Sequence, residues 1–310
     1  MKKVYRANLY FLIIILLEIF LPFILLPIYK VIGITDVRLV LLINHITIFL
    51  VPAAIYIKIT KSSIKDTLKL NKLHLKDLFL IILLAIVVQP IMAFFSVISA
   101  FFFNNEVGSF ISQISSTPYL ILLSLVALLP AITEEVTIRG IVLSGYENIN
   151  KYIAALITGL FFGILHLDPQ QFLYAVALGF IFALVVRTTN SILAASIMHF
   201  IINGTSVTSV KIISILSSNK NFIVEATDMS FRSLAINEKI AILVLYGGIA
   251  LVFSTLVFLI IKKLEDLNTK RGILRESNIS RGTIKQENIF NLPFIGIIIV
   301  YLTFMIIKIL

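Results

Sequence analysis

The chain of 310 residues contains no cysteine. Disulfides, thiolate metal ligation, cysteine nucleophiles and cysteine-held iron–sulfur clusters are therefore excluded. Charge is scarce too: 14% of residues are Asp, Glu, Lys or Arg, against about 25% in an ordinary soluble domain. Sixteen residues are acidic and four are histidine. Several hydrolase signatures are missing. There is no His-Glu-x-x-His zinc helix and no Gly-x-Ser-x-Gly elbow. No Tyr-Asp or Gly-x-Gly-Asp pair offers an aspartyl mechanism, and the six aspartates fall mostly in polar loops.

What is abundant is apolar surface. Hydrophobic residues make up 59% of the chain and the mean hydropathy is +1.05. A soluble domain holds about 45–50% apolar residues, so the composition indicates a multi-pass cell-membrane protein with the lipid bilayer as its partner. The expected fold is an all-α, polytopic transmembrane helix bundle of about 8–9 spans, forming a single membrane domain over 1–310. A span needs about 20 apolar residues. Nine candidates are placed at roughly 8–31, 38–59, 77–103, 119–146, 151–168, 170–187, 190–214, 239–261 and 291–309. The fifth is barely long enough. Lys2, Lys3 and Arg6 precede the first run, which lacks a small-residue cleavage site and reads as a retained span. Residues 58–76 interleave Ile64, Leu68 and Leu75 with six lysines, the pattern of a short amphipathic surface segment. Residues 262–290 are the longest polar stretch, with seven Lys or Arg, and are expected to form a cytoplasmic loop.

The net charge of +10 would suggest nucleic acid in a soluble protein. In a membrane protein it marks cytoplasmic loops instead, and no nucleic-acid partner is expected. With nine spans and the N-terminus in the cytoplasm, eighteen Lys and Arg lie inside and seven outside. The N-terminus is therefore expected in the cytoplasm and the C-terminus outside.

Against this background, ionisable groups inside spans are conspicuous. The fourth span carries Glu134, Glu135 and Arg139. Each would cost about 2.5–3.5 kcal/mol facing lipid at the bilayer centre, or roughly 8–10 kcal/mol together. They are expected to face the bundle interior. Glu135 and Arg139 are spaced i, i+4 and share a helix face. Glu134 points about 100° away and is left unneutralised. Pro130, just before them, is expected to kink the helix. His166 ends the fifth span and His199 lies in the seventh, with Asn203 one turn further on. His45 in the second span reads as an ordinary core histidine, and His74 as solvated. At 1.5 Å per residue, His199 lies about 13 Å in from Asn190, Glu134 about 18 Å from Tyr146, and His166 about 24 Å from Asn150. A tilted or short fifth helix would bring the three together.

A carboxylate and a histidine hold and deprotonate a water. A second histidine with an asparagine donates to an oxyanion. Together these describe amide hydrolysis. The ordered motifs Glu134-Glu135-x-x-x-Arg139, Phe162-x-x-x-His166 and His199-x-x-x-Asn203 resemble the CPBP intramembrane protease family, which includes the type II CAAX prenyl endopeptidases and the bacterial Abi proteins. Ile138 is a departure, since many members carry an aromatic residue before the arginine. The resemblance implies a catalytic core over 119–205 and a conical cavity open to the cytoplasm. It implies that Glu134 and His166 activate water, that His199 and Asn203 stabilise the oxyanion, and that Glu135 and Arg139 support the site. Members are often called metalloproteases. If zinc is bound, Glu134, His166 and His199 are its candidate ligands, although a metal-free glutamate/histidine mechanism is slightly favoured.

The Ile, Lys and Asn usage suggests an AT-rich bacterial genome, where CAAX prenylation is not expected. The resemblance therefore points to a peptide or membrane-protein substrate, with bacteriocin immunity or peptide maturation as the setting. Two other readings stay open: a non-catalytic membrane scaffold that keeps the site, and a proton-coupled transporter. Gly159-x-x-x-Gly163 is expected to mark close helix packing within the chain. Oligomeric state is not legible.

Overall fold

The computed structural model describes residues 2–216, 231–273 and 287–309. These form a polytopic helix bundle, with no strand among the described residues. Eight helices are long and apolar enough to cross a membrane: α1 (Lys3–Val31), α2 (Val37–Thr60), α4 (Leu75–Ala100), α6 (Tyr119–Gly145), α8 (Pro169–Thr189), α9 (Ile192–Leu216), α10 (Ile236–Lys270) and α11 (Leu292–Ile309). Three shorter helices are α3 (Ile64–Thr67), α5 (Glu106–Gln113) and α7 (Lys151–Leu165).

The fifth expected span is the one that differs most. α7 has 15 residues, about 22 Å of helix, against a hydrocarbon core of about 30 Å. It ends at His166, turns through Leu167 in a left-handed conformation, and restarts at Asp168, which caps α8 by accepting from the Gln170 N–H. α7 and α8 form a tight hairpin because glycines face each other. A Cβ on Gly179 would come within 2.8 Å of Gly159 Cα, and one on Gly159 within 2.8 Å of Phe180 N. The helix expected to end near residue 261 runs on to Lys270, so the polar stretch 262–290 begins as helix. Residues 274–286 of that stretch lie outside the described residues.

Polar contacts sort the helix ends into two groups. At one end Lys3 and Lys69 pair with Glu147, Lys151 pairs with Glu265, and Arg271 pairs with Asp77. Glu287 accepts from the backbone N–H groups of Lys3 and Val4. Arg187 donates to the carbonyls of Tyr146, Glu147 and Ile149. At the other end Lys308 pairs with Glu106 and donates to the Leu167 carbonyl. Lys211 there donates to the carbonyls of Ser115 and Thr117. Each helix in turn therefore links one end to the other, α7 included. The segments richest in lysine share the first, basic end.

The amphipathic segment after α2 does more than lie on a surface. Leu68 is buried against Gly140, where a Cβ would meet its Cδ2 at 2.5 Å. The Lys69 carbonyl accepts from Ile192 N–H, and Ser191 donates to the Asn71 carbonyl at 2.6 Å. The segment thus clamps the start of α9. At the opposite end Asp36 caps α2 by accepting from the Arg38 backbone N–H. The Arg38 guanidinium, hydrogen-bonded to this exposed carboxyl, holds it down to about 2.

Candidate active site

α6 carries the two glutamates between two stretches of wider, π-type winding, residues 124–128 and 136–142. Such turns are rare and frequent at functional sites. The first has a local cause. Pro130 has no N–H, so the carbonyl four residues earlier, Val126, loses its helical donor. Asn203 of α9 supplies a replacement, its Nδ2 donating to Val126 O at 3.3 Å. The expected kink is thus a widened turn stitched to the neighbouring helix.

One turn further along α6, Arg139 and Glu135 are both fully buried and joined at 3.1 Å. Arg139 also donates to the Gly179 carbonyl at 3.2 Å. Its guanidinium carbon lies 4.2 Å from the Phe162 ring centre and 5.1 Å from that of Phe182, within range of cation–π attraction. The same Glu135 oxygen accepts from His199 Nδ1 at 2.9 Å. That bond orients the imidazole and leaves Nε2 directed at Glu134, 4.0 Å from its Oε2. Phe162 touches the rings of both His166 and His199, edge to face. Its backbone carbonyl accepts from His166 Nδ1 at 2.7 Å, which leaves the other ring nitrogen of His166 free of that contact.

Glu134 has a buried carboxylate oxygen, Oε2, with no hydrogen-bond partner among the described residues. It lines a cavity of about 290 Å³ together with His166, His199, Asn203 and His45. A second chamber of about 240 Å³ shares Leu41, His45, Glu134 and His166 with the first and adds Glu18 and Asn44. The main cavity is capped by Val107, Phe110 and Ile111, on the α5 helix that also bears Glu106. It therefore lies in the half of the bundle away from the basic end. The basic end, expected in the cytoplasm from the charge count, and the cavity, whose opening to the cytoplasm is only what the resemblance implies, thus sit in opposite halves of the bundle.

Zinc fits this donor set poorly. Glu135 is engaged by Arg139 and His199. Among the described residues no group of three His, Cys, Asp or Glu side chains is placed to hold a metal ion.

All six residues singled out by motif, Glu134, Glu135, Arg139, His166, His199 and Asn203, meet in one region. Asn203 has part of its amide committed to Val126. His45, read from sequence as a core residue, instead lines both chambers. Its Nδ1 lies 2.9 Å from the Thr133 hydroxyl. The Thr133 proton goes to the Leu129 carbonyl, so His45 is the donor. The depth count used for the other histidines would have found it, since it lies about 12 Å along α2 from Val37. Glu18 lies inside an apolar run, and an acid within a span is a functional candidate on cost alone.

Residues 116–205 match the family model of type II CAAX prenyl endopeptidase Rce1-like proteins. A Bacillus subtilis (strain 168) protein named "Putative membrane peptidase YdiL" is 30% identical over 101 residues, which is 32% of this chain. The match spans 41% of that relative's length. No solved structure matches the chain. The matched segment runs from just before α6 into α9 and holds every residue of the three motifs. Over that segment, this multi-pass membrane protein is similar to the type II CAAX prenyl endopeptidase Rce1-like proteins and to a membrane peptidase.

Proposed function

We propose that the chain is an intramembrane endopeptidase that hydrolyses a peptide bond with a water held by Glu134 and His166. The observation that carries this reading is the Glu134 carboxylate. It is nearly buried, lacks a hydrogen-bond partner on Oε2, and faces a cavity that two histidines also line. Its 4.0 Å separation from His199 is too long for a hydrogen bond and suits a bridging water.

In this mechanism Glu134 takes a proton from the water as its oxygen attacks the carbonyl carbon. His166 accepts a hydrogen bond from the same water. The second Asn203 amide proton, and His199 through Nε2 when both its nitrogens are protonated, donate to the oxyanion. Glu134 returns its proton to the amide nitrogen, the C–N bond breaks, and an acid and an amine leave. Glu135 and Arg139 hold His199 in place.

The catalytic unit is residues 119–205 within one membrane domain, and the substrate is a peptide or a membrane-protein segment. Bacteriocin immunity or peptide maturation is the proposed setting. The basic end, including the N-terminus, is placed in the cytoplasm, because eighteen cationic side chains against seven is a strong positive-inside bias. The substrate then enters from the opposite half of the bundle. Cleavage of peptides by the protein in liposomes tests the reading. Glu134→Gln and His166→Ala should each lower the rate by about 10²-fold or more with the melting temperature retained. Wild-type cleavage by folded Glu134→Gln would overturn it. Full phenotypic rescue in cells by His166→Ala would favour the scaffold instead.

A further inference from the structure

The side chamber holds more carboxyl groups than the hydrolytic reading uses. Glu18 of α1 and Glu134 of α6 both line it. Each has a buried carboxylate oxygen, Oε2, without a hydrogen-bond partner among the described residues. The other polar side chains there are Asn44, His45 and His166. No Lys or Arg lines either chamber. The nearby cation, Arg139, is sealed behind the site against Glu135 and the Phe162 and Phe182 rings. It balances one carboxylate and leaves the other two. In a low-dielectric space such unpaired carboxylates attract a positive group far more strongly than in water, and a cation inside the membrane needs such a partner.

The chamber, about 240 Å³, has room for one extended side chain. It adjoins the main cavity at Glu134 and His166, so a group seated in it lies beside the reacting bond. We propose that the side chamber is a specificity pocket for an ammonium group of the substrate, with Glu18 as its carboxylate. The ammonium comes from a lysine side chain or from a free amino terminus close to the scissile bond. This rests on the reading that a peptide enters the cavity at Glu134, and it adds which peptide.

The chain has no tryptophan, so a tryptophan-bearing probe reports binding without protein background. Three short acylated or free peptides, each with one tryptophan, are titrated onto the intact protein in nanodiscs. One is N-acetylated with a central lysine. The second is N-acetylated with norleucine at that position. The third is the norleucine peptide with a free amino terminus. Wild type should bind at least one ammonium probe tenfold or more tighter than the acetylated norleucine probe, and which one identifies the source of the ammonium. In Glu18→Gln that ratio should fall to near one, and in Glu18→Asp it should be partly kept. Melting temperatures in the same nanodiscs confirm that the variants are folded. Equal binding of all three probes, no binding of any, or a preference that survives Glu18→Gln overturns the proposal. Cleavage by wild type against Glu134→Gln is scored separately. Its failure would count against hydrolysis while leaving the binding ratios to judge the pocket.

Discussion

Replacing Arg139 by methionine removes the cation from a pair in which both side chains are fully buried. Methionine keeps most of the volume between Phe162 and Phe182, so the change is chiefly one of charge. Breaking a buried pair by removing one partner costs about 3–5 kcal/mol, because the remaining charge is uncompensated. The lost attraction to two rings is part of that figure and is not added to it. Glu135→Leu should cost a similar amount, for it leaves the guanidinium alone. The double variant Glu135→Leu, Arg139→Met is the informative one. Apolar replacement of both partners is close to neutral, but His199 Nδ1 loses its acceptor, a penalty of about 1–3 kcal/mol. The double variant should thus be less destabilised than Arg139→Met alone. Reversible SDS-titration unfolding in mixed micelles, followed by circular dichroism, measures all variants on one scale. The reasoning fails if Arg139→Met costs less than about 1 kcal/mol. It also fails if the double variant equals the sum of the single changes within about 0.5 kcal/mol, the additivity of independent sites.

Asn203→Ala should destabilise by about 1–3 kcal/mol in the wild-type background by leaving the Val126 carbonyl unpaired. It should cost less in Pro130→Ala, where a backbone N–H returns to that carbonyl; equal costs in the two backgrounds, read by the same unfolding assay, would contradict the account of the widened turn. Gly159→Val should lower stability by about 1–3 kcal/mol or more through overpacking against α8, whereas Gly248→Val, with nothing within 4 Å of its Cβ position, should change it far less. Because the chain has no cysteine, single-cysteine labelling has no background. With an impermeant maleimide on intact cells, Thr35→Cys should label and Lys72→Cys should not. The reverse pattern would place the basic end outside and the cavity toward the cytoplasm.

Much of this arrangement was legible in the sequence because lipid makes charge costly. Glu134, Glu135, Arg139, His166 and His199 stood out on that ground, and the i, i+4 spacing already paired Glu135 with Arg139. The bond from His199 to Glu135, not to Glu134, was not legible. It depends on how α9 is rotated against α6, which spacing within one helix does not specify. The π-type turns leave no mark in the sequence, because α and π winding suit the same residue types. The short α7 was visible only as a span of marginal length. That the cavity lies away from the basic end follows from α5 lining it, and α5 is a brief helix within the polar, Ser-rich stretch 104–118.

The stitch between Asn203 and the carbonyl stranded by Pro130 sits one turn from the bond between His199 and Glu135. Both belong to the same two helices, α9 and α6. Sliding α9 by one turn, about 5.4 Å, would break both at once: His199 would leave its anchor and the Val126 carbonyl would again face an apolar interior. The two bonds act as adjacent teeth of a ratchet, and the register of α9 becomes an all-or-none variable. A chain inserted with α9 out of step would leave Glu134 and His199 apart however well its other helices packed. Assembly of the site and correct seating of α9 are thus a single event.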